Sequence, residues 1–268
     1  MTRTSGAAID DARAQGRAAL VVYLPVGYPD VATSIEAART AVAAGADVVE
    51  LGLPYSDPGM DGPVVAAAAQ AALDGGVRTA DVLHAVEQVA ATGAATLVMT
   101  YYNPVLRYGV ETFARDLAAA GGAGLITPDL IPDEAGEWVA AADAHGLDKV
   151  FLVAPSSTPE RLELTAAASR GFVYAASTMG VTGERATVGE RAAELVARTR
   201  AAGAERVCVG IGVSTAEHAT EVAGYADGVI VGSAAVRALG SAPGPDGLAA
   251  LGDLVGRLRA GVERAGAA

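Results

Sequence analysis

Apolar residues in this chain fall into short runs, separated by stretches in which they recur every three or four positions. The runs are Ala19-Leu-Val-Val-Tyr-Leu24, Asp47-Val-Val-Glu-Leu-Gly52, Thr96-Leu-Val-Met-Thr100, Gly124-Leu-Ile-Thr127, Lys149-Val-Phe-Leu-Val153, Gly171-Phe-Val-Tyr174, Arg206-Val-Cys-Val-Gly210 and Gly228-Val-Ile-Val-Gly232. Their length and β-branched content predict eight strands, and the periodic stretches between them predict helices. Helices are expected over 10–16, 30–44 and 64–73, and a last amphipathic helix is expected to end near Arg264 after a loop at 241–247. A glycine near the helix end, an apolar strand and a Gly/Pro loop then repeat along the chain.

Strands and helices alternate without any run of consecutive strands, which implies a parallel sheet. Eight near-equivalent units in 268 residues match the ~250 residues of a closed (β/α)8 TIM barrel better than an open doubly wound sheet. The open sheet would place a glycine-rich dinucleotide turn after its first strand. Pro25-Val-Gly-Tyr-Pro29 is no such turn. The expected fold is therefore α/β, a single barrel domain over 1–268 with a short extra helix at its start.

Composition removes several functions. Lys+Arg 19 against Asp+Glu 31 gives a formal charge of −12, and no cationic cluster is present to neutralise a nucleic-acid backbone. An anionic substrate has to be held by backbone donors against that field. Cys208 is the only cysteine, which rules out an intrachain disulfide, and its apolar neighbours suit a small core residue. Residues 1–18 carry no apolar signal-peptide core, and the apolar run at 18–26 is too short to span a bilayer. A cytoplasmic protein with no membrane contact is expected.

Barrel active sites lie at the C-terminal strand ends. In the second strand, alternation puts Val48 and Glu50 on one face and Val49 and Leu51 on the other. If the first face points inward, Glu50 stands at the mouth. Asp61, in the loop that follows, can fold back over it. The two carboxylates then form an acid/base pair; a Glu paired to an Arg and a solvated loop Asp is the other reading the residues allow. Two glycine-bearing loops, Gly210-Ile-Gly-Val-Ser214 and Gly232-Ser233, each lead into a helix start. Such a pair suits a phosphate cradle built from bare N–H groups, with the Ser233 hydroxyl added and Ser214-Thr215 as a helix N-cap. Tyr23, Tyr101, Tyr102 and Tyr174 suit the flat apolar part of a substrate, or serve as core plugs.

Lys149, the only lysine, begins the fifth strand, at the wrong end for a Schiff base. His84, His145 and His218 fall in helical segments, and no His/carboxylate cluster stands at the strand ends, which argues against a metal-dependent aldolase. Carboxylate chemistry on a phosphorylated substrate remains, with no metal.

Glu50-Leu-Gly-Leu-Pro-Tyr-Ser-Asp-Pro-Gly-Met-Asp-Gly-Pro63, Pro128-Asp-Leu130, Gly180-Val-Thr-Gly183, Gly210-Ile-Gly-Val-Ser214 and Val231-Gly-Ser233, in this order, resemble the tryptophan synthase alpha subunit family. The resemblance covers roughly 18–237. It implies a TIM barrel that cleaves indole-3-glycerol phosphate to indole and glyceraldehyde 3-phosphate, the last stage of tryptophan biosynthesis. It also implies an alpha2beta2 heterotetramer with a beta subunit that carries pyridoxal phosphate, while this chain needs no cofactor. By the same resemblance, Glu50 transfers protons and Asp61 binds the indole N–H. Tyr174 lines the pocket, and Tyr23, Val65, Met99 and Ile126 fall at apolar indole positions. Gly183, Gly212, Gly232 and Ser233 hold phosphate. Residues 54–58, Asn103 and Pro132 meet the beta subunit, and 177–188 forms a lid. Met60, Ala66, Ile211 and Gly59 depart from the usual pattern and bear on the shape of the pocket. A stand-alone indole-3-glycerol phosphate lyase shares every catalytic residue and is the alternative.

Overall fold

The computed structural model describes residues 2–176, 185–210 and 212–265, with the side chains of 185–188 excepted. Eight parallel strands close into a barrel in sequence order. They are β1 (Ala19–Pro25), β2 (Val48–Gly52), β3 (Ala95–Met99), β4 (Gly124–Thr127), β5 (Asp148–Val153), β6 (Val173–Ala176), β7 (Val207–Gly210) and β8 (Gly228–Val231). All eight expected strands form, and β1 closes the ring by pairing with β8.

The helices are α1 (Ser5–Ala14), α2 (Val31–Ala43), α3 (Pro63–Asp74), α4 (Thr79–Ala90), α5 (Tyr102–Tyr108), α6 (Val110–Ala119), α7 (Gly136–Ala144), α8 (Pro159–Ala168), α9 (Arg185–Ala201), α10 (Ala216–Ala223), α11 (Ser233–Leu239) and α12 (Pro245–Ala265). Side-chain caps set several starts: Asp30 accepts the Thr33 N–H at 2.8 Å, and Thr215 accepts the His218 N–H at 3.3 Å. The recurring glycine is the helix stop. Gly45 and Gly203 adopt φ of 110° and 99°, which lets the chain turn from helix into strand.

Strand alternation divides the apolar residues between two cores. Val49, Leu51, Val98, Leu125, Val209 and Val229 face outward into the helix layer. Val21, Val48, Leu97, Ile126, Val150, Cys208 and Ile230 fill the barrel interior with Ile9 of α1. Val48 and Glu50 therefore do point inward. Cys208 is buried in this interior, and burial pushes its thiol well above the usual range.

Two element boundaries differ from the pattern-based expectation. The leading helix starts at Ser5, not at 10, because Thr4 caps it and Ser5 is drawn inward: its N–H and hydroxyl both reach Asp148 Oδ2, at 2.8 and 2.6 Å. The final helix begins at Pro245, inside the stretch read as loop, since proline suits the first helical turn.

Lys149 lies at the N-terminal end of the barrel with its Nζ 2.7 Å from Asp143, as its place at the start of β5 requires. Among the described residues, no helix is long and apolar enough to cross a membrane.

Candidate active site

At the C-terminal strand ends the barrel opens into a cavity of about 230 Å³. Its lining joins Glu50 and Asp61 to Tyr23, Met60, Val65, Met99, Pro128, Leu152, Tyr174, Ile230, Gly210, Gly212, Gly232 and Ser233, among others. Residues up to 210 positions apart in the chain thus meet because the strand ends bring inward-facing residues to the same mouth.

Glu50 is wholly buried, and neither carboxylate oxygen has a hydrogen-bond partner among the described residues. The Glu–Arg pair that the sequence also allowed does not form there. With no charge or donor among the described residues to offset desolvation, burial raises its pKa to about 8. Glu50 is accordingly a protonated acid at neutral pH. Asp61 differs. Burial raises it too, with the neighbouring Tyr101 phenol opposing part of the rise. One cavity therefore holds two carboxyl groups in unlike surroundings.

Tyr23 and Tyr174 flank Glu50. Burial chiefly raises both phenols, and the nearby Glu50 and Asp61 charges add to the effect. Each ring leans across the next strand onto a glycine. A Cβ on Gly52 would collide with the Tyr23 ring and hydroxyl, and one on Gly210 would collide with those of Tyr174. Glycine at these two strand ends is therefore what makes room for two tyrosines in one small barrel mouth.

Gly212 has a φ of 69° and is followed by Thr215, the N-cap of α10. Gly232 precedes α11, and Ser233 opens it. Residues of both loops line the same cavity, and among the described residues its lining includes no Lys or Arg.

Of the expected pocket residues, Tyr23, Val65, Met99, Tyr174, Gly212, Gly232 and Ser233 line the cavity, and Ile126 does not. Ile126 faces inward, but Pro128 follows it on the same face and takes the place at the mouth, leaving Ile126 one layer down in the packed interior. Tyr102 is also absent from the lining, because as the first residue of α5 it packs against the outer core. Gly183 lies outside the described residues, as do Gly180 and Ile211. Leu152 and Ile230 were not foreseen as lining residues, although the parity that placed Glu50 places them too. Met60 lines the rim with its side chain 52% exposed.

The fold and cavity define a class, the (β/α)8-barrel enzymes with carboxyl groups in a pocket at the strand ends. Residues 9–250 match the family model described as tryptophan synthase alpha chain. The tryptophan synthase alpha chain of Mycobacterium marinum is 62% identical over 259 residues, covering 97% of this chain and 94% of that one. A solved Mycobacterium tuberculosis tryptophan synthase chain superposes with a TM-score of 0.91 at 58% identity, over 98% of this chain and 99% of that one. Tryptophan synthase subunit alpha of Legionella pneumophila, at 30% identity, still reaches a TM-score of 0.87 over 96% and 97% of the two chains. The chain belongs to the tryptophan synthase alpha chain family.

Proposed function

We propose that Glu50 and Asp61 carry out, in this cavity, the reaction of the family: retro-aldol cleavage of indole-3-glycerol phosphate to indole and glyceraldehyde 3-phosphate. The observation that carries the assignment is the buried, unpartnered Glu50 with its pKa near 8, in one cavity with Asp61. Glu50 begins protonated and gives its proton to indole C3. The ring becomes a cationic indolenine, and Asp61 accepts a hydrogen bond from its N–H and offsets its charge. Glu50, now a carboxylate, takes the proton of the glycerol hydroxyl next to the breaking bond. The C–C electron pair returns to the ring, the hydroxyl carbon becomes the aldehyde, and Glu50 ends as it began. No net proton is gained or lost, which suits a carboxyl group able to hold either state near neutral pH.

Tyr23, Val65, Met99, Leu152 and Tyr174 hold the indole, and Gly212, Gly232 and Ser233 hold the phosphate. The partner is the beta subunit in an alpha2beta2 complex, and it carries the pyridoxal phosphate. The segment 54–58, Asn103 and Pro132 form the docking surface, and the whole enzyme works in the cytoplasm. The test is an assay for indole released from indole-3-glycerol phosphate with and without the beta subunit. Release that the beta subunit accelerates is expected. A full rate without the beta subunit would identify a stand-alone lyase, and no release would refute the reading.

The cradle has its own test. A Cβ at Gly232 would meet only ordinary van der Waals contact with the Tyr23 ring, so Gly232→Asp should fold. Its carboxylate would face the phosphate, and KM is expected to rise roughly tenfold or more. Unchanged affinity for glyceraldehyde 3-phosphate in a calorimetric titration would rule the cradle out.

A further inference from the structure

We propose that Tyr23 is a specificity-determining residue, its ring forming a wall that shuts a second, smaller pocket off from the substrate and so excludes indoles substituted on the N–H side of the benzo ring. The inference rests on the roles given to Glu50 and Asp61 above. Beside the main cavity lies a pocket of about 20 Å³, room for a single water-sized group. Leu53, Pro54, Ala69, Thr100 and Tyr101 line this pocket and not the main cavity. Tyr23, Asp61, Met99 and Pro128 line both, so these four residues stand between the two spaces.

Of the four, Tyr23 has the largest side chain, and it spans the mouth. Its base lies beside Gly232, where an added Cβ would stand 3.7 Å from Tyr23 Cβ and 3.6 Å from Cδ1. Its hydroxyl end reaches Gly52, where an added Cβ would collide with it. Gly232 lines the main cavity, and Gly52 directly precedes Leu53 of the small pocket. The ring therefore runs from one space to the other. It also packs against Val65, Ala68 and Val236, which holds it from the side of α3 and α11. Ala69, next along α3, is buried and lines the small pocket.

The two carboxyl groups fix which edge of the substrate meets this wall. Asp61 takes the indole N–H, and Glu50 protonates C3. These two atoms flank C2, so the benzo ring points away from both groups, with C7 on the Asp61 side and C4 on the Glu50 side. Asp61 borders the small pocket and Glu50 does not. A substituent at C7 is therefore directed at Tyr23 and the pocket behind it, and one at C4 is not. Against the intact ring, a chlorine at C7 overpacks the wall. With the ring removed, it enters the small pocket. One such group in an apolar pocket is worth roughly 10–200-fold in discrimination.

The test is calorimetric titration with the non-cleavable analogue indole-3-propyl phosphate and its C7-chloro and C4-chloro derivatives, and it needs no turnover. The wild type is expected to bind the C7-chloro compound roughly tenfold or more weakly than the parent. Tyr23→Leu and Tyr23→Met both remove the ring. Each should reduce the C7 penalty to about twofold or less and leave the C4 penalty as in the wild type. Tyr23→Phe keeps the ring and should keep the C7 penalty. Ala69→Val fills the small pocket, so adding it to Tyr23→Leu should restore the penalty, which a general loosening of the site would not do. A C7 penalty that is absent from the wild type, that survives loss of the ring, or that Ala69→Val does not restore would overturn the proposal. A parent analogue that fails to bind the wild type would instead bring down the reading of the site, and this proposal with it.

Discussion

Glu50→Gln is expected to lose indole-3-glycerol phosphate cleavage by ~10²–10⁴-fold, the range for removal of a general acid–base group, while becoming more stable than the wild type. Gln has nearly the same shape but cannot give a proton to indole C3 or take one from the glycerol hydroxyl. The stability gain follows from linkage. The folded-state pKa of Glu50 lies near 8, above its ordinary 4.5. The folded form therefore holds the proton more tightly than the unfolded form does. Its full stability is present below pH 4.5 and is lost progressively as pH rises towards 8. At about 1.4 kcal/mol per pH unit, this amounts to roughly 3 kcal/mol by pH 7. Gln is neutral throughout, so the melting-temperature advantage of Glu50→Gln should be small at pH 5 and largest at pH 8. Near-normal kcat would remove Glu50 from the chemistry. A melting difference independent of pH would mean that Glu50 is not the buried acid described here.

The sequence made the barrel legible because its signal is local and repeated. Each strand is a short β-branched run between a helix-ending glycine and a loop, and alternation alone gives the inward face. The same parity brought Glu50 to the mouth, and it also reaches Leu152 and Ile230. Depth along the strand is less visible. Ile126 has the right parity, but the layer at which it sits depends on Pro128 following it at the mouth. Contacts between distant segments are less visible still. Ser5 joins the first helix because it binds Asp148, 143 positions away. Nothing near Tyr101 in the sequence announces that its hydroxyl receives the Met60 N–H. The protonation state of Glu50 was out of reach for the same reason, since it depends on what surrounds the carboxyl group and not on its neighbours along the chain.

In the proposed mechanism, opposite states of the two carboxyl groups set the pH profile. Glu50 acts first as an acid and is lost to ionisation above pH 8. Asp61 acts as an anion and is lost to protonation at the acid end, at a pH raised by burial and lowered by Tyr101. Activity should therefore form a bell, with an alkaline limb belonging to Glu50 and an acid limb belonging to Asp61.

Asp61→Asn tests the anionic half of this arrangement, with an expected loss of ~10²–10³-fold in kcat, the scale for a transition-state electrostatic contact. Asn keeps the size of the side chain and an oxygen that can accept the indole N–H, so the substrate should still bind. It lacks the negative charge that offsets the indolenine, and that charge is needed only once C3 has been protonated. The loss should therefore fall on kcat, with KM changed little. The acid limb of the pH profile should disappear, because the group that titrates there is gone, while the Glu50 limb remains. The cavity sharpens the contrast: Asp61 lies half-buried in a pocket lined by Tyr23, Met99 and Pro128, where a developing charge is screened less than in bulk water. Steady-state kinetics from pH 5 to pH 9 separate the alternatives. A variant that loses only KM, or that keeps its acid limb, would show Asp61 to be a substrate-binding residue and would leave the cationic intermediate without its counter-charge.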